Sequence, residues 1–196
     1  MKIMKQNYLE LISSIFKEHA EVLNNTSLML QKKLDKTSSI ISSSLKKGKK
    51  IIWCGNGGSA SDSIHLSAEL IGRFKKNRRP LKSISLANDP STMTCISNDF
   101  GFNKLFSRQV DGLGEKGDIL IAISTSGKSQ NIFEAIKAAK SKKMKVISFL
   151  GKQGGMCKGK SDVEFMILSN STARIQEMHI LLGHILCDLI ERKLNL

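Results

Sequence analysis

The stretch IIWCGNGGSASDSIHLSAEL, residues 51 to 70, decides how the chain is built. Ile51, Ile52, Trp53 and Cys54 form a short continuous apolar run, the signature of a strand buried on both faces. Gly55-Asn56-Gly57-Gly58-Ser59 then tolerates positive φ and close approach of a ligand, so the chain can turn sharply. Ser59, Ser61 and Asp62 are N-cap candidates for a mostly apolar helix through Ile64, Leu66, Ala68, Leu70 and Ile71. A strand, a glycine turn and a helix N-terminus gather unpaired N–H groups and the helix dipole into an anion or polar-ligand site. Asp62 opposes a fully charged phosphate at this end, so sugar contacts are expected here and the phosphate elsewhere. The pattern is neither GxGxxG nor a Walker loop, because no Lys-Ser/Thr pair closes it. A tight turn without any ligand is the plainer reading of this stretch alone.

Outward from this unit, strand-like runs at 50–54, 83–86, 118–123, 145–150 and 163–168 alternate with helical patterns near 59–74, 91–97, 103–112 and 129–141. Such alternation predicts an α/β fold, a parallel sheet covered on both faces. A final long helix runs from about Ala173 to Leu194. Ahead of the body, Tyr8, Leu11, Ile12, Ile15, Phe16, Val22 and Leu23 recur at helical spacing, as do Leu30, Leu34, Ile41 and Leu45. These predict two helices split near Asn24-Asn25, an arm (1–47) whose apolar stripe packs on the body (48–196), on a second chain, or on both. With two prolines and no repeat or low-complexity tract, nothing marks a linker within 1–196.

Open parallel sheets bind ligands at the carboxyl ends of their strands. A second suitable loop stands there: Ser124-Thr125-Ser126-Gly127-Lys128-Ser129, between the strand Ile119–Ile123 and a helix starting near Gln130. Hydroxyls and helix N-terminal N–H groups around one glycine suit a phosphate monoester, and Lys128 adds charge. A serine-rich helix cap is the plainer alternative.

Composition narrows the partners. Lys and Arg number 31 against 17 Asp and Glu, a net charge of +14, which raises nucleic acid as a partner. The basic residues are scattered, in groups such as Lys46–Lys50, Lys75–Arg79 and Lys140–Lys145, and aromatics are only 5%, too few for a base-stacking platform. Specific nucleic-acid binding is therefore not expected, and the field serves better to attract an anionic substrate. Cys54, Cys95, Cys157 and Cys187 lack CxxC or zinc-finger spacing and read as reduced packing residues. Glu10, Lys17 and Glu18 interrupt the apolar N-terminus, which is neither a signal peptide nor a membrane span; a cytoplasmic protein with no membrane partner is expected.

The motifs CGNGGSASDSIHLSAEL, SNDFG, ISTSGKS and TARIQEMHILLGHILCDLIE, in this order, closely resemble the phosphoheptose isomerases of the sugar isomerase (SIS) fold, over nearly the whole chain including the arm. The resemblance implies one SIS domain over 1–196, a three-layer sandwich with a five-stranded parallel sheet. It implies interconversion of sedoheptulose 7-phosphate and D-glycero-D-manno-heptose 7-phosphate, the first step toward nucleotide-activated heptose for bacterial surface glycans such as lipopolysaccharide. It further implies a homotetramer with active sites at subunit contacts, and a zinc ion in several members. Carried over by position, Asn56, Gly57, Gly58 and Ser59 contact the sugar, and Asn98 and Asp99 add a polar edge. Ser124, Thr125, Ser126 and Ser129 form the phosphate cradle, while His65, Glu69, Gln176 and His184 take the metal-binding and catalytic positions.

Aldose–ketose isomerisation requires a base, an acid partner and stabilisation of an oxyanion. Glu69 is the expected base, His184 its partner, and a zinc ion on the four residues would polarise the carbonyl. A metal-bound carboxylate is a weaker base, so the two roles of Glu69 compete. Without the resemblance, His65 and Glu69 at i, i+4 read as a simple side-chain contact and His184 as a core histidine. Glu177 and His179 read as structural or supporting, and His19 has no supporting motif. Some SIS relatives instead bind the bacterial replication initiator; the presence of Glu69, Ser126 and His184 favours the enzyme. A phosphosugar sensor would need only the serine loop. The chain departs from many members in lacking an acidic residue between Ser169 and Arg174. Finally, Gln176 and His184 are eight residues apart, about 12 Å along a straight helix. Sharing one ion would stretch both side chains, so either the helix is distorted near Gly183 or a neighbouring subunit completes the site.

Overall fold

The computed structural model describes residues 7–196, so the first six residues of the arm lie outside the described residues. The chain runs α1 (Tyr8–Lys46), β1 (Ile51–Gly55), α2 (Gly58–Ile71), β2 (Ser83–Ser85), α3 (Pro90–Phe100), α4 (Leu105–Leu113), β3 (Ile119–Ser124), α5 (Gln130–Ser141), β4 (Lys145–Gly151), β5 (Val163–Ile167) and α6 (Thr172–Lys193). Every strand pairing is parallel, in the order β2-β1-β3-β4-β5.

Alternation along the buried strands divides the core into two layers. Ile51, Trp53, Ile119, Ile121, Ile123, Ile147 and Phe149 face α1, α2 and α6, where Ile41, Leu66, Leu182 and Leu186 meet them. Ile52, Cys54, Leu120, Ala122, Val146 and Leu150 face Phe106, Val110, Ile132 and Ile136 on the other side. This is the expected α/β sandwich, and the strand positions agree with the sequence reading to within one or two residues.

The arm differs from expectation: α1 is one continuous helix through Asn24-Asn25. Asparagine is a mediocre helix former but not a breaker, and no Gly or Pro interrupts residues 8–46. Leu30, Leu34, Ile41 and Leu45 are buried against the chain's own body. They therefore need no partner to cover them, whereas Tyr8, Leu11, Ile12, Ile15 and Phe16 near the start of α1 remain exposed. The outer half is tied down by polar contacts. Arg174 of α6 pairs with Glu177 and Glu18 and donates to the Ile15 carbonyl at 3.2 Å, and His19 Nδ1 meets Glu177 Oε2 at 2.6 Å.

Helices α2 and α6 pack closely because of a missing side chain. A Cβ on Gly183 would fall 2.3 Å from Leu66 Cδ1, so a residue larger than glycine would require the Leu66 side chain or the helix itself to shift. Helix α6 continues unbroken through Gly183, which removes local helix distortion as a way of bringing Gln176 to His184.

His179 is fully buried on α6 beside Phe149, and neither ring nitrogen has a hydrogen-bond partner among the described residues. Burial pushes its pKa down to about 4, the Leu150 carbonyl opposing only in part. The unfolded chain therefore takes up a proton near pH 6.5 that the folded protein refuses. This contribution to stability is complete above that pH and is lost as pH falls toward about 4. Replacing His179 by Leu should leave stability at pH 7.5 intact or raised, and should remove about 2–3 kcal/mol of the loss between pH 7.5 and 4.5, measured by urea unfolding.

Candidate active site

The strand order places the reversal of winding between β1 and β3, where the chain leaves the sheet in opposite directions and a crevice opens at the carboxyl ends. Both polar loops lie there. After β1, Gly57 takes φ +57° and ψ −125°, a conformation open to glycine, and starts α2. Gly57 is itself the N-cap, so Ser59, Ser61 and Asp62 lie inside the helix instead of capping it as expected. Ser59 is buried. Asp62 is half-buried with one carboxylate oxygen lacking a partner among the described residues; burial pushes its pKa up to about 6, with His65 opposing.

After β3, the Ser124 hydroxyl accepts the Gly127 N–H at 3.1 Å and the Ser126 hydroxyl accepts the Lys128 N–H at 3.2 Å. These two N–H groups are thereby spent within the loop, and the hydroxyl hydrogens of Ser124 and Ser126 remain as donors. Ser129 is the N-cap of α5, whose first helical bond runs from Phe133 N–H to the Ser129 carbonyl. The N–H groups of Gln130, Asn131 and Ile132 precede that bond and point out of the helix end. Thr125 is half-buried, its carbonyl close beside Gly151 at the end of β4. The two loops are stitched together by reciprocal amide bonds between Asn56 and Asn131, at 2.9 and 2.8 Å.

Two turns along α2, His65, Glu69 and His184 converge. A ligand atom from each lies within 4.8 Å of the others, and His65 Nε2 is 3.1 Å from Glu69 Oε1. The His65 and His184 rings meet edge-on, with centroids 5.1 Å apart. Partial burial, and His65 after it, lower the pKa of His184 below the ordinary imidazole value, with Glu69 opposing, so it is neutral at neutral pH. Two imidazoles and a carboxylate form a donor set of the kind that holds zinc.

Gln176 lies against the start of α2. Its amide nitrogen stands where a Cβ of Gly58 would be, 2.2 Å from that position, and Gly58 precedes His65 by about 10 Å of helix. Asn98 and Asp99 are exposed at the end of α3, bonded to each other at 2.8 Å, with Cys95 Sγ 3.6 Å from Asp99. His19, without a motif to flag it, and Glu177, read as structural or supporting, belong to the clasp that holds α1 on α6.

Sequence reasoning missed Phe74 and Arg78, which touch the trio, and Glu191, which holds both of them. The Phe74 ring stacks on His184 at 5.4 Å, and Arg78 donates to the Glu69 carbonyl at 2.9 Å. The available signal was Glu191 itself, an acidic residue on the buried stripe of α6 between Cys187 and Ile190 on one side and the helix end on the other.

The chain matches the SIS domain family over residues 15–151. It is 49% identical to a phosphoheptose isomerase of a Nitratiruptor species over 93% of this chain and 98% of the relative. Among solved structures, a phosphoheptose isomerase from Francisella tularensis superposes with a TM-score of 0.92 at 35% identity, covering 95% of this chain and 100% of that one. Phosphoheptose isomerase GmhA from Neisseria gonorrhoeae superposes with a TM-score of 0.88 at 39% identity, with the same coverage. With this identity along nearly its full length and this close superposition, the chain belongs to the phosphoheptose isomerase family of SIS-domain proteins.

Proposed function

We propose that this chain, one SIS domain with its helical arm, isomerises sedoheptulose 7-phosphate to D-glycero-D-manno-heptose 7-phosphate in the cytoplasm, at the entry to nucleotide-activated heptose. The observation that carries the reading is the convergence of His65, Glu69 and His184 beside a switch-point crevice with a hydroxyl-rich loop. A protein that only bound the replication initiator, or only sensed a phosphosugar, would have no use for this trio, and the relatives reported above bear the isomerase name.

The substrate phosphate sits in the Ser124–Ser129 loop, taking O–H donors from Ser124, Thr125, Ser126 and Ser129 and N–H donors from the first turn of α5. Asn56, Gly57, Gly58, Ser59 and Gln176 line the sugar, with Asn98 and Asp99 as a further polar edge. The Glu69 carboxylate removes the proton from C1 of the ketose, leaving an enediolate, and returns it to C2. His184, neutral at working pH, moves the hydroxyl proton from O1 to O2. His65, Glu69 and His184, with Gln176 by family analogy, would hold a zinc ion, which when bound supplies Lewis-acid polarisation of the carbonyl.

The site is shared between copies in a homotetramer. His184 and Gln176 stand about two helical turns apart on an undistorted α6, and the exposed Tyr8, Leu11, Ile12, Ile15 and Phe16 offer apolar surface to a neighbour.

Glu69→Gln is expected to abolish exchange of the C1 proton with deuterated solvent, with turnover down by about three orders of magnitude or more, while the substrate phosphate still binds. Proton exchange followed by NMR, alongside calorimetric binding, checks both. Ser126→Ala should instead raise KM for sedoheptulose 7-phosphate roughly tenfold and leave kcat within a few fold, as loss of a charge-assisted hydrogen bond predicts. Metal analysis of the purified protein should find zinc, and His65→Ala should lose it.

A further inference from the structure

The segment Gly72–Pro80 joins α2 to β2 and is pinned by one buried carboxylate. Glu191, 1% exposed, accepts the backbone N–H groups of Phe74, Lys75 and Lys76 at 3.1, 3.1 and 3.2 Å and the Arg78 Nε at 2.9 Å. Burial alone would raise the pKa of Glu191, yet these four donors together hold it below the ordinary carboxylate value. Arg78, its side chain 1% exposed, turns its terminal nitrogens to the carbonyls of Glu69 at 2.9 Å and Leu70 at 2.8 Å. One buried ion pair thus ties the end of α6, the segment and the end of α2 into a single unit.

Glu191 follows His184 by seven residues on α6, two turns along the same face. The segment docked by Glu191 therefore runs along the helix face that carries His184, and it lays Phe74 on that imidazole. The ring planes differ by 20° with centroids 5.4 Å apart, while His65 meets His184 edge-on. Phe74 is itself held. Lys75 Nζ stands 5.5 Å from its ring centroid and pairs with Asp188 at 2.7 Å. A histidine on a helix has two soft side-chain torsions, and Phe74 and His65 together fix the plane of this one.

We propose that Phe74 is a positioning residue, seated by the buried Glu191–Arg78 pair, that fixes the His184 imidazole relative to Glu69. The inference rests on the reading of Glu69 and His184 given above. It predicts a ring-specific effect that volume alone does not supply. Phe74→Leu, which keeps most of the volume, should lower kcat about tenfold with KM within twofold, whereas Phe74→Tyr should keep kcat within about twofold of the parent. Independently of turnover, the NOEs between the ring protons of His184, assigned by their absence in His184→Gln, and those of His65, whose ring centroid lies 5.1 Å away, should weaken in Phe74→Leu and be kept in Phe74→Tyr.

Unchanged kcat and unchanged His184–His65 NOEs in Phe74→Leu would overturn the proposal. So would a fall in kcat with the His184–His65 NOEs unchanged, because the ring would then act through some other group. Should the parent protein fail to convert sedoheptulose 7-phosphate, the isomerase reading falls. The NMR arm still decides whether Phe74 sets the orientation of His184.

Discussion

The parallel pairing of β1 with β3 is the constraint on which the rest of the molecule depends. Ile51 to Gly55 align with Ile119 to Ile123, two fully buried runs brought together across a long stretch of chain. Because β2 lies to one side of β1 and β4 to the other side of β3, the loops that follow the central pair diverge and leave a crevice between them. The Gly57 turn and the serine loop fall at its two lips, and the paired amides of Asn56 and Asn131 fix the gap. Two polar loops facing each other across one crevice are a direct product of strand order.

Helix spacing supplies the second requirement. Functional groups on α2 and α6 meet because the helices approach closely, at Gly58 against Gln176 and at Gly183 against Leu66. The two contacts are in register with each other, so the helices run alongside and present His65 and His184 to one another. A buried ion pair is weak evidence for net stability, since desolvation offsets much of the attraction. The Glu191–Arg78 pair is better understood as a device for register, because its partners are backbone groups at the end of α2 and in the segment that follows it.

Much of this was legible in the sequence, and the boundary between what was and was not is a physical one. The strands could be read because runs such as IIWC and ILIAI are buried on both faces and carry no polar interruption. The serine loop could be singled out because it stands between a buried strand and a helix, whereas His65 and Glu69 stood out only through the family resemblance. Local pattern says nothing about long-range geometry, and the packing of Gln176 against Gly58 could not be read from it. The split of α1 at Asn24-Asn25 failed because a weak propensity was read as a break while packing of Leu30, Leu34, Ile41 and Leu45 held the helix whole. Phe74 was invisible for a different reason. An aromatic residue in a lysine-rich segment between α2 and β2 carries no periodicity, and only the N–H groups gathered by Glu191 give it a place.

The length of α1 divides it into parts with different dynamics. Thirty-nine residues extend about 58 Å, more than the body beneath them can cover. Turns that contain Leu30 to Leu45 share the global stability of the core, so their amide protons exchange with solvent only when the whole molecule opens. Turns from Tyr8 to Phe16 are held chiefly through the backbone carbonyl of Ile15 and the side chains of Glu18 and His19, and a helix segment that short is marginal by itself. Their amide protons exchange by fraying, at a rate set by how often the Arg174–Glu177 clasp lets go. Anything seated on their apolar side slows that exchange without touching the sheet.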